Sequence, residues 1–226
     1  MHDSQSPAHR TYVGRPDAYD VLGASQFNLL TTMGLREYHT LLDVGCGSLR
    51  SGRLFITYLQ KGNYSGVDPG EWLIQAAVDN ELGSSVAFLK APVFRFDSDF
   101  SLTNFSRSFD YIQAHSILTH ISRDMLVRLF AQTRMTLKPS GAFVGTFKPG
   151  TDDYSGSAWV YPGLVTYRWQ TIKMIAREND LEAYRVRWPH PLQSYFLMLH
   201  RDLKLSCFLK RLDRRFLFPL PDLVIY

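Results

Sequence analysis

Apolar positions along the chain alternate between a helical spacing and short continuous runs. Asp17 to Met33 carries Val21, Leu22, Phe27, Leu29 and Leu30 in a loose helical pattern that Gly34 ends, which predicts a leading helix. Thr40 to Val44 is a short apolar run closed by glycines, a strand, and Leu49 to Leu59 returns to helical spacing. Tyr64 to Val67 predicts a second strand, stopped by Asp68-Pro69, before a helix over Trp72 to Leu82. Val86 to Leu89 reads as a third strand and Phe109 to Gln113 as a fourth. A helix follows over Arg123 to Leu137, then the turn Lys138-Pro139-Ser140-Gly141 and a fifth strand, Ala142 to Phe147.

This alternation predicts an α/β architecture with a doubly wound, mainly parallel sheet and helices on both faces. After a helix over Val165 to Glu178 the pattern changes. Glu182 to Trp188 and Ser194 to Arg201 both read as strands, joined only by Pro189-His190-Pro191-Leu192-Gln193, too short for a parallel crossover. The sheet is therefore expected to be mixed, with its last strand antiparallel. One domain is expected over 1–226: an N-terminal helical cap (1–39), a core (40–201) and a C-terminal arm (202–226).

Composition fits a globular protein, at 45% hydrophobic and 20% charged residues among 226. Only Cys46 and Cys207 occur, so neither a disulfide framework nor a metal spacing is visible; no metal and a reducing, cytoplasmic setting are expected. No signal peptide and no membrane-spanning run are legible. The net charge of +4 is uneven, with eleven Lys/Arg against five Asp/Glu over residues 168–215. The arm mixes Leu203, Leu205, Phe208, Leu209, Leu212, Phe216, Leu217 and Phe218 with Lys210, Arg211, Arg214 and Arg215. Such a segment covers its own core or a twin subunit, and peripheral contact with an anionic membrane is the less ordinary use. A monomer or a homodimer is expected.

Candidate chemistry begins at Asp43-Val44-Gly45-Cys46-Gly47, where the first strand ends in small residues that let backbone approach a ligand. A dinucleotide fingerprint would place a third glycine at position 50, and this chain has Arg50. The second strand ends in Gly66-Val67-Asp68, which sets a carboxylate at the neighbouring strand tip, where a ribose diol is clamped.

Taken together these segments resemble the class I S-adenosylmethionine-dependent methyltransferases over roughly Leu41 to His200. LLDVGCGSLRSGR is similar to that family's first motif, YSGVD to its second, FDYIQAHSILTH to its fourth, and LKPSGAFVGTF to the strand after it. The resemblance implies a Rossmann-like seven-stranded sheet with S-adenosylmethionine as methyl donor and S-adenosylhomocysteine as product. It also implies that Asp43, Gly45, Cys46 and Gly47 underlie the methionine part and ribose, that Asp68 beside Pro69 holds the ribose hydroxyls, and that Ala114, His115 and Ser116 border the sulfonium.

The pattern departs from the family where Ser48-Leu49-Arg50 replaces a glycine, which makes Arg50 or Arg53 candidates for the cofactor carboxylate. The acid after the third strand is displaced too, and Asp99 with Phe100 is the candidate adenine contact; Trp72 is a candidate flank for the adenosine. An unactivated hydroxyl acceptor needs a base, which histidine supplies best. His115 at a strand tip and His190 in the last turn are the candidates, whereas His120 is expected to pack at a helix start. Tyr154, Trp159, Tyr161 and Trp169 are candidate walls of an acceptor pocket, and Tyr167 lies among them.

The reading that follows is methyl transfer to oxygen or nitrogen of a small organic acceptor, in specialised metabolism. RNA methylation is a weaker alternative, because His115-Ser116-Ile117-Leu118 stands where base-amino methylation uses an Asn/Asp-Pro-Pro-aromatic element. Lipid or glycolipid methylation, and adenosyl-ligand binding without turnover, complete the alternatives.

Overall fold

The computed structural model describes residues 7–211 and 224–225. Eight strands form one sheet: β1 (Leu41–Val44), β2 (Tyr64–Val67), β3 (Val93–Arg95), β4 (Phe109–Ala114), β5 (Leu137–Phe147), β6 (Leu181–Arg187), β7 (Ser194–His200) and β8 (Val224–Ile225). Their order is β3-β2-β1-β4-β5-β7-β6-β8. β1 to β5 pair in parallel, and β7 lies antiparallel between β5 and β6. That is the mixed sheet expected from the short join, with β8 as an additional antiparallel edge on β6.

The strand residues divide by parity, as a pleated sheet requires. Leu42, Val44, Ile112, Ala114, Phe143, Phe196 and Met198 face α6 (Arg123–Thr136) and α7 (Trp169–Glu178) in one buried cluster. Leu41, Tyr111, Val144, Leu197 and Leu199 belong to a second cluster with α2 (Tyr19–Thr32), α3 (Gly52–Tyr58) and α4 (Glu71–Ala77). Both β1 and β2 are buried on both faces, which explains why β1 reads as a short run rather than an alternation.

Three expectations are corrected. Val86 to Leu89 is not a strand but part of α5 (Ser84–Lys90); the third strand is Val93–Arg95. Phe88 and Leu89 are exposed on that helix, and a four-residue apolar run cannot by itself distinguish the two states. The helix predicted from Val165 begins only at Trp169, because Val165 and Tyr167 belong to an extended flap before it. β5 runs through the expected turn 138–141 rather than starting after it.

The N-terminal region adds α1 (Ala8–Tyr12), and α8 (Leu205–Arg211) opens the C-terminal arm. Leu212, Arg214, Arg215, Phe216, Leu217 and Phe218 lie outside the described residues. Among the described residues no helix is long and apolar enough to cross a membrane.

Strand order reverses between β1 and β4, which opens a crevice at their C-terminal ends. The antiparallel β7 closes the other side of β5, with Phe196 packed against Phe143, Phe130, Phe147 and Trp169. Phe196→Ala is expected to lower unfolding stability by about 3–5 kcal/mol in urea titrations; a loss under about 1 kcal/mol would show that this ring cluster does not hold β7 in place.

Candidate active site

The turn after β1 crosses the crevice with Gly45 at φ +70° and Gly47 at φ +50°, conformations that side chains resist. A methyl group on Gly45 would lie 2.0 Å from Ile117 Cδ1, so the segment after β4 rests directly on this glycine. Cys46 turns the other way, with its buried thiol packed toward Gly66, and offers a ligand only backbone. At the tip of β2 the Asp68 carboxylate accepts Gly47 N–H (3.0 Å) and Gly70 N–H (2.8 Å). Burial raises its pKa, and those two N–H groups oppose the rise. Each oxygen retains acceptor capacity. Pro69 beside it is exposed.

Behind the turn Asp43 is buried on β1 and accepts from Tyr64 Oη at 2.8 Å; burial pushes its pKa up to about 6. Arg50 lies on the same face. One guanidinium nitrogen donates to Val13 O (3.3 Å), another to His115 Nδ1 (3.1 Å), and Nε finds no partner among the described residues. Among the described residues none of its contacts is an ion pair with a carboxylate; burial lowers its pKa, against smaller opposing effects of Tyr195, Tyr19 and the Asp43 carboxylate.

An arginine can only donate, so His115 Nδ1 must accept and Nε2 carries the proton that it gives to Tyr195 Oη (2.9 Å). Burial, then the Arg50 charge, hold the His115 pKa well below its usual value. His190 lies 5.3 Å away, ring to ring, and its Nδ1 accepts the backbone N–H of Leu192 (3.1 Å) and Gln193 (2.9 Å). Its pKa is pushed down to about 4 by burial and by Arg50. Both histidines thus lie at the crevice, and in this hydrogen bonding neither presents a free ring lone pair. Ser116, at φ +61°, donates its N–H to Thr146 Oγ1 and accepts Gln193 Nε2 at 2.9 Å, which ties the β6–β7 hairpin to the end of β4. Ala114 is buried at the tip of β4, paired with Val44 and Gly145.

The N-terminal segment covers the turn. Val13 approaches Gly47, with its Cγ1 3.1 Å from where a Cβ would stand. Tyr12 meets Trp72 edge-on (5.3 Å) and Tyr161 at 5.2 Å, and Tyr161 meets the His120 ring at 5.2 Å. Trp159 flanks the same imidazole at 5.5 Å. An aromatic seam therefore runs from the tip of β2 to the flap, each of its rings half-exposed. α1 is fastened below by Glu81, which accepts His9 Nε2 (2.8 Å) and Arg10 NH2 (2.7 Å). Arg53 joins that cluster, bound to Asp20 and 3.8 Å from Glu81, so its guanidinium secures the cap rather than facing the turn.

Other candidates lie elsewhere. Asp99 is exposed, 3.6 Å from Arg128, and Phe100 is buried in the core. Asp97 instead folds the loop, accepting Asp99 N and Ser101 N, and lines a recess of about 450 Å³ with Phe94, Phe96 and Asn104. Tyr154 and Trp169 pack against the α6–α7 core, Trp169 stacked on Phe147 at 5.8 Å; only Trp159 and Tyr161 reach the seam. Sequence reasoning missed Tyr12, Val13 and Tyr195, which carry no motif and whose contacts are long-range.

Residues 42–143 match the family described as methyltransferase domain. The fold is shared with magnesium protoporphyrin IX methyltransferase from Synechocystis PCC 6803 with bound SAM, at TM-score 0.63 and 12% identity over 88% of this chain and 86% of that one. It is shared also with an S-adenosylmethionine-dependent methyltransferase from Clostridium acetobutylicum ATCC 824, at 0.59 and 14% over 80% and 91%, and with DhpI in complex with SAH, at 0.63 and 14% over 87% and 92%. No curated protein matches the sequence.

The buried Asp43 makes a prediction about pH. Its folded-state pKa of about 6 exceeds the ordinary 3.8, so its contribution to stability is full below about pH 4 and is lost as pH rises through 6. The stability of Asp43→Asn minus that of the wild type is expected to grow by about 3 kcal/mol between those limits in parallel urea titrations. A pH-independent difference would place the charge elsewhere.

Proposed function

We infer that this chain, which carries a class I methyltransferase domain, transfers a methyl group from S-adenosylmethionine to an oxygen or nitrogen of a small organic acceptor and releases S-adenosylhomocysteine. One observation carries the assignment of the cofactor site. The half-buried Arg50 stands beside the glycine turn with a buried Nε that has no partner and with no ion pair among the described residues, Asp43 acting on it only from beyond contact, and a desolvated guanidinium without a paired carboxylate costs on the order of several kcal/mol. The carboxylate of the methionine part supplies the missing counter-charge.

The remaining residues fit the rest of that ligand. Gly45 and Gly47 leave the floor free of side chains, and the carboxylate of Asp68, fixed by Gly47 and Gly70, is oriented to accept both ribose hydroxyls. Asp43 adds negative potential behind the turn for the cofactor's ammonium. Trp72 flanks the adenosine, and Asp97 in its recess lies toward the base, in the place first sought at Asp99.

When bound, the cofactor supplies an electrophilic methyl on a sulfonium. The protein's task is then alignment and exclusion of water. Ile117 over Gly45, Ser116 tied to Thr146, and the Tyr12–Tyr161 contact across the mouth serve that end.

Calorimetry with S-adenosylhomocysteine tests the assignment. The wild type is expected to bind, Asp68→Ala to bind at least about 10-fold more weakly, and Arg50→Met about 100-fold more weakly. Without ligand, Arg50→Met is expected to be at least as stable as the wild type, since an apolar side chain of similar length replaces a desolvated charge. No binding by the wild type, or wild-type affinity in Arg50→Met, overturns the reading.

A further inference from the structure

The residue after α1 lies in the space that the glycine turn leaves bare. A Cβ on Gly47 would stand 3.1 Å from Val13 Cγ1 and 3.9 Å from Asp68 Oδ2, so the Val13 side chain presses on the uncovered face of the turn beside that carboxylate. A ligand atom resting on this face and the Val13 isopropyl group compete for one space. The backbone of the same residue engages the cation, since Arg50 donates to Val13 O at 3.3 Å. Val13 therefore contacts both the turn and the guanidinium on which the cofactor assignment depends.

The strap that carries Val13 is fastened away from the turn. Glu81 holds His9 and Arg10 at 2.8 and 2.7 Å, and the side chains of Glu81 and His9 are almost wholly buried. Beyond α1, Tyr12 rests on Trp72 and Tyr161 while remaining 46% exposed. The joint to the rest of the chain is Gly14, at φ +121°, with no atom within 4 Å of where its Cβ would stand, so it turns without unpacking a neighbour. The bond that Val13 O makes to Arg50 is one that a ligand outbids, because a carboxylate binds a guanidinium roughly twice as strongly as a neutral carbonyl does.

We propose that Val13 is a built-in competitor for the cofactor, filling the space between Gly47 and Arg50 in the unloaded protein, and that α1 is the gate that withdraws it by turning about Gly14 when its hold on Glu81 yields. This rests on the cofactor reading above. Once the site is occupied, Tyr12 returns to Tyr161 with Val13 held off the turn, so entry of the cofactor and closure against the flap are successive positions of one strap. A gate of this kind lies on the path both in and out, whereas a cover that closes only over bound ligand slows exit alone.

Stopped-flow tryptophan fluorescence with S-adenosylhomocysteine separates the two. Glu81→Gln removes the charge that holds Arg10 and is expected to raise the association and dissociation rates together, each about 10-fold. Tyr12→Ala loosens the other end of the strap, leaves the buried cluster intact, and is expected to do the same; it decides the matter if Glu81→Gln does not fold. Val13→Ala leaves the fastening untouched but weakens the competitor, and is expected to bind S-adenosylhomocysteine about 5-fold more tightly. Unchanged rates in either folded variant of the fastening, a rise in dissociation alone, or equal or weaker affinity in Val13→Ala overturns the proposal. Absence of S-adenosylhomocysteine binding by the wild type would instead overturn the cofactor reading on which it rests.

Discussion

A half-buried guanidinium that makes no ion pair among the described residues is the constraint around which this crevice is arranged. Arg50 needs acceptors that satisfy its N–H groups without cancelling its charge, and the structure provides a backbone carbonyl, Val13 O, and a neutral imidazole, His115. A carboxylate in either place would neutralise the group and leave nothing for an anionic ligand. The neutrality of His115 is in turn secured by burial and by Arg50 itself, and its orientation by Tyr195 on β7. β7 thus reaches the turn after β1, beyond β4 and β5 in the sheet order, through two side chains.

The site is assembled from segments far apart in sequence. Its floor comes from β1, its carboxylate rim from β2, its back wall from the end of β4, and its roof from α1 and the flap before α7. Short-range physics builds the first three, because glycines and a capped carboxylate at strand tips require only local geometry. The roof depends on distant partners. Glu81 holds His9 and Arg10 across more than seventy positions, and the flap is pinned at Thr119 and His120 by the backbone of Val165 and Val160.

That division explains what the sequence discloses. The parallel core, the antiparallel hairpin, the glycine turn and Asp68 were legible because each has a local signature: a run length, a breaker or a loop too short to cross over. The third strand was misplaced because Val86 to Leu89 has no period long enough to separate strand from helix, and only the Ala91-Pro92 stop after it marks where the strand begins. Arg50 and Arg53 could not be distinguished by spacing; the cap that captures Arg53 lies some thirty residues upstream, at Asp20. The hydrogen-bonding state of the three histidines was not legible in sequence, because the tautomer is set by whether the neighbour of each ring nitrogen is a donor or a carbonyl.

The position of β7 also bears on how the chain is made. Synthesis delivers β5 first, then β6, then β7, yet β7 occupies the place between them. Until residue 200 has emerged, β5 has an unpaired edge carrying Phe143, Val144 and Phe147, and β6 has nowhere to dock. The cap waits as well: α1 is made some seventy residues before the Glu81 that fastens it, and Tyr195 completes the pairing of His115 later still. A nascent chain stalled before residues 194–200 have emerged therefore displays a sticky strand edge and an unfinished crevice together, so protection from aggregation and completion of the crevice arrive with the same few residues.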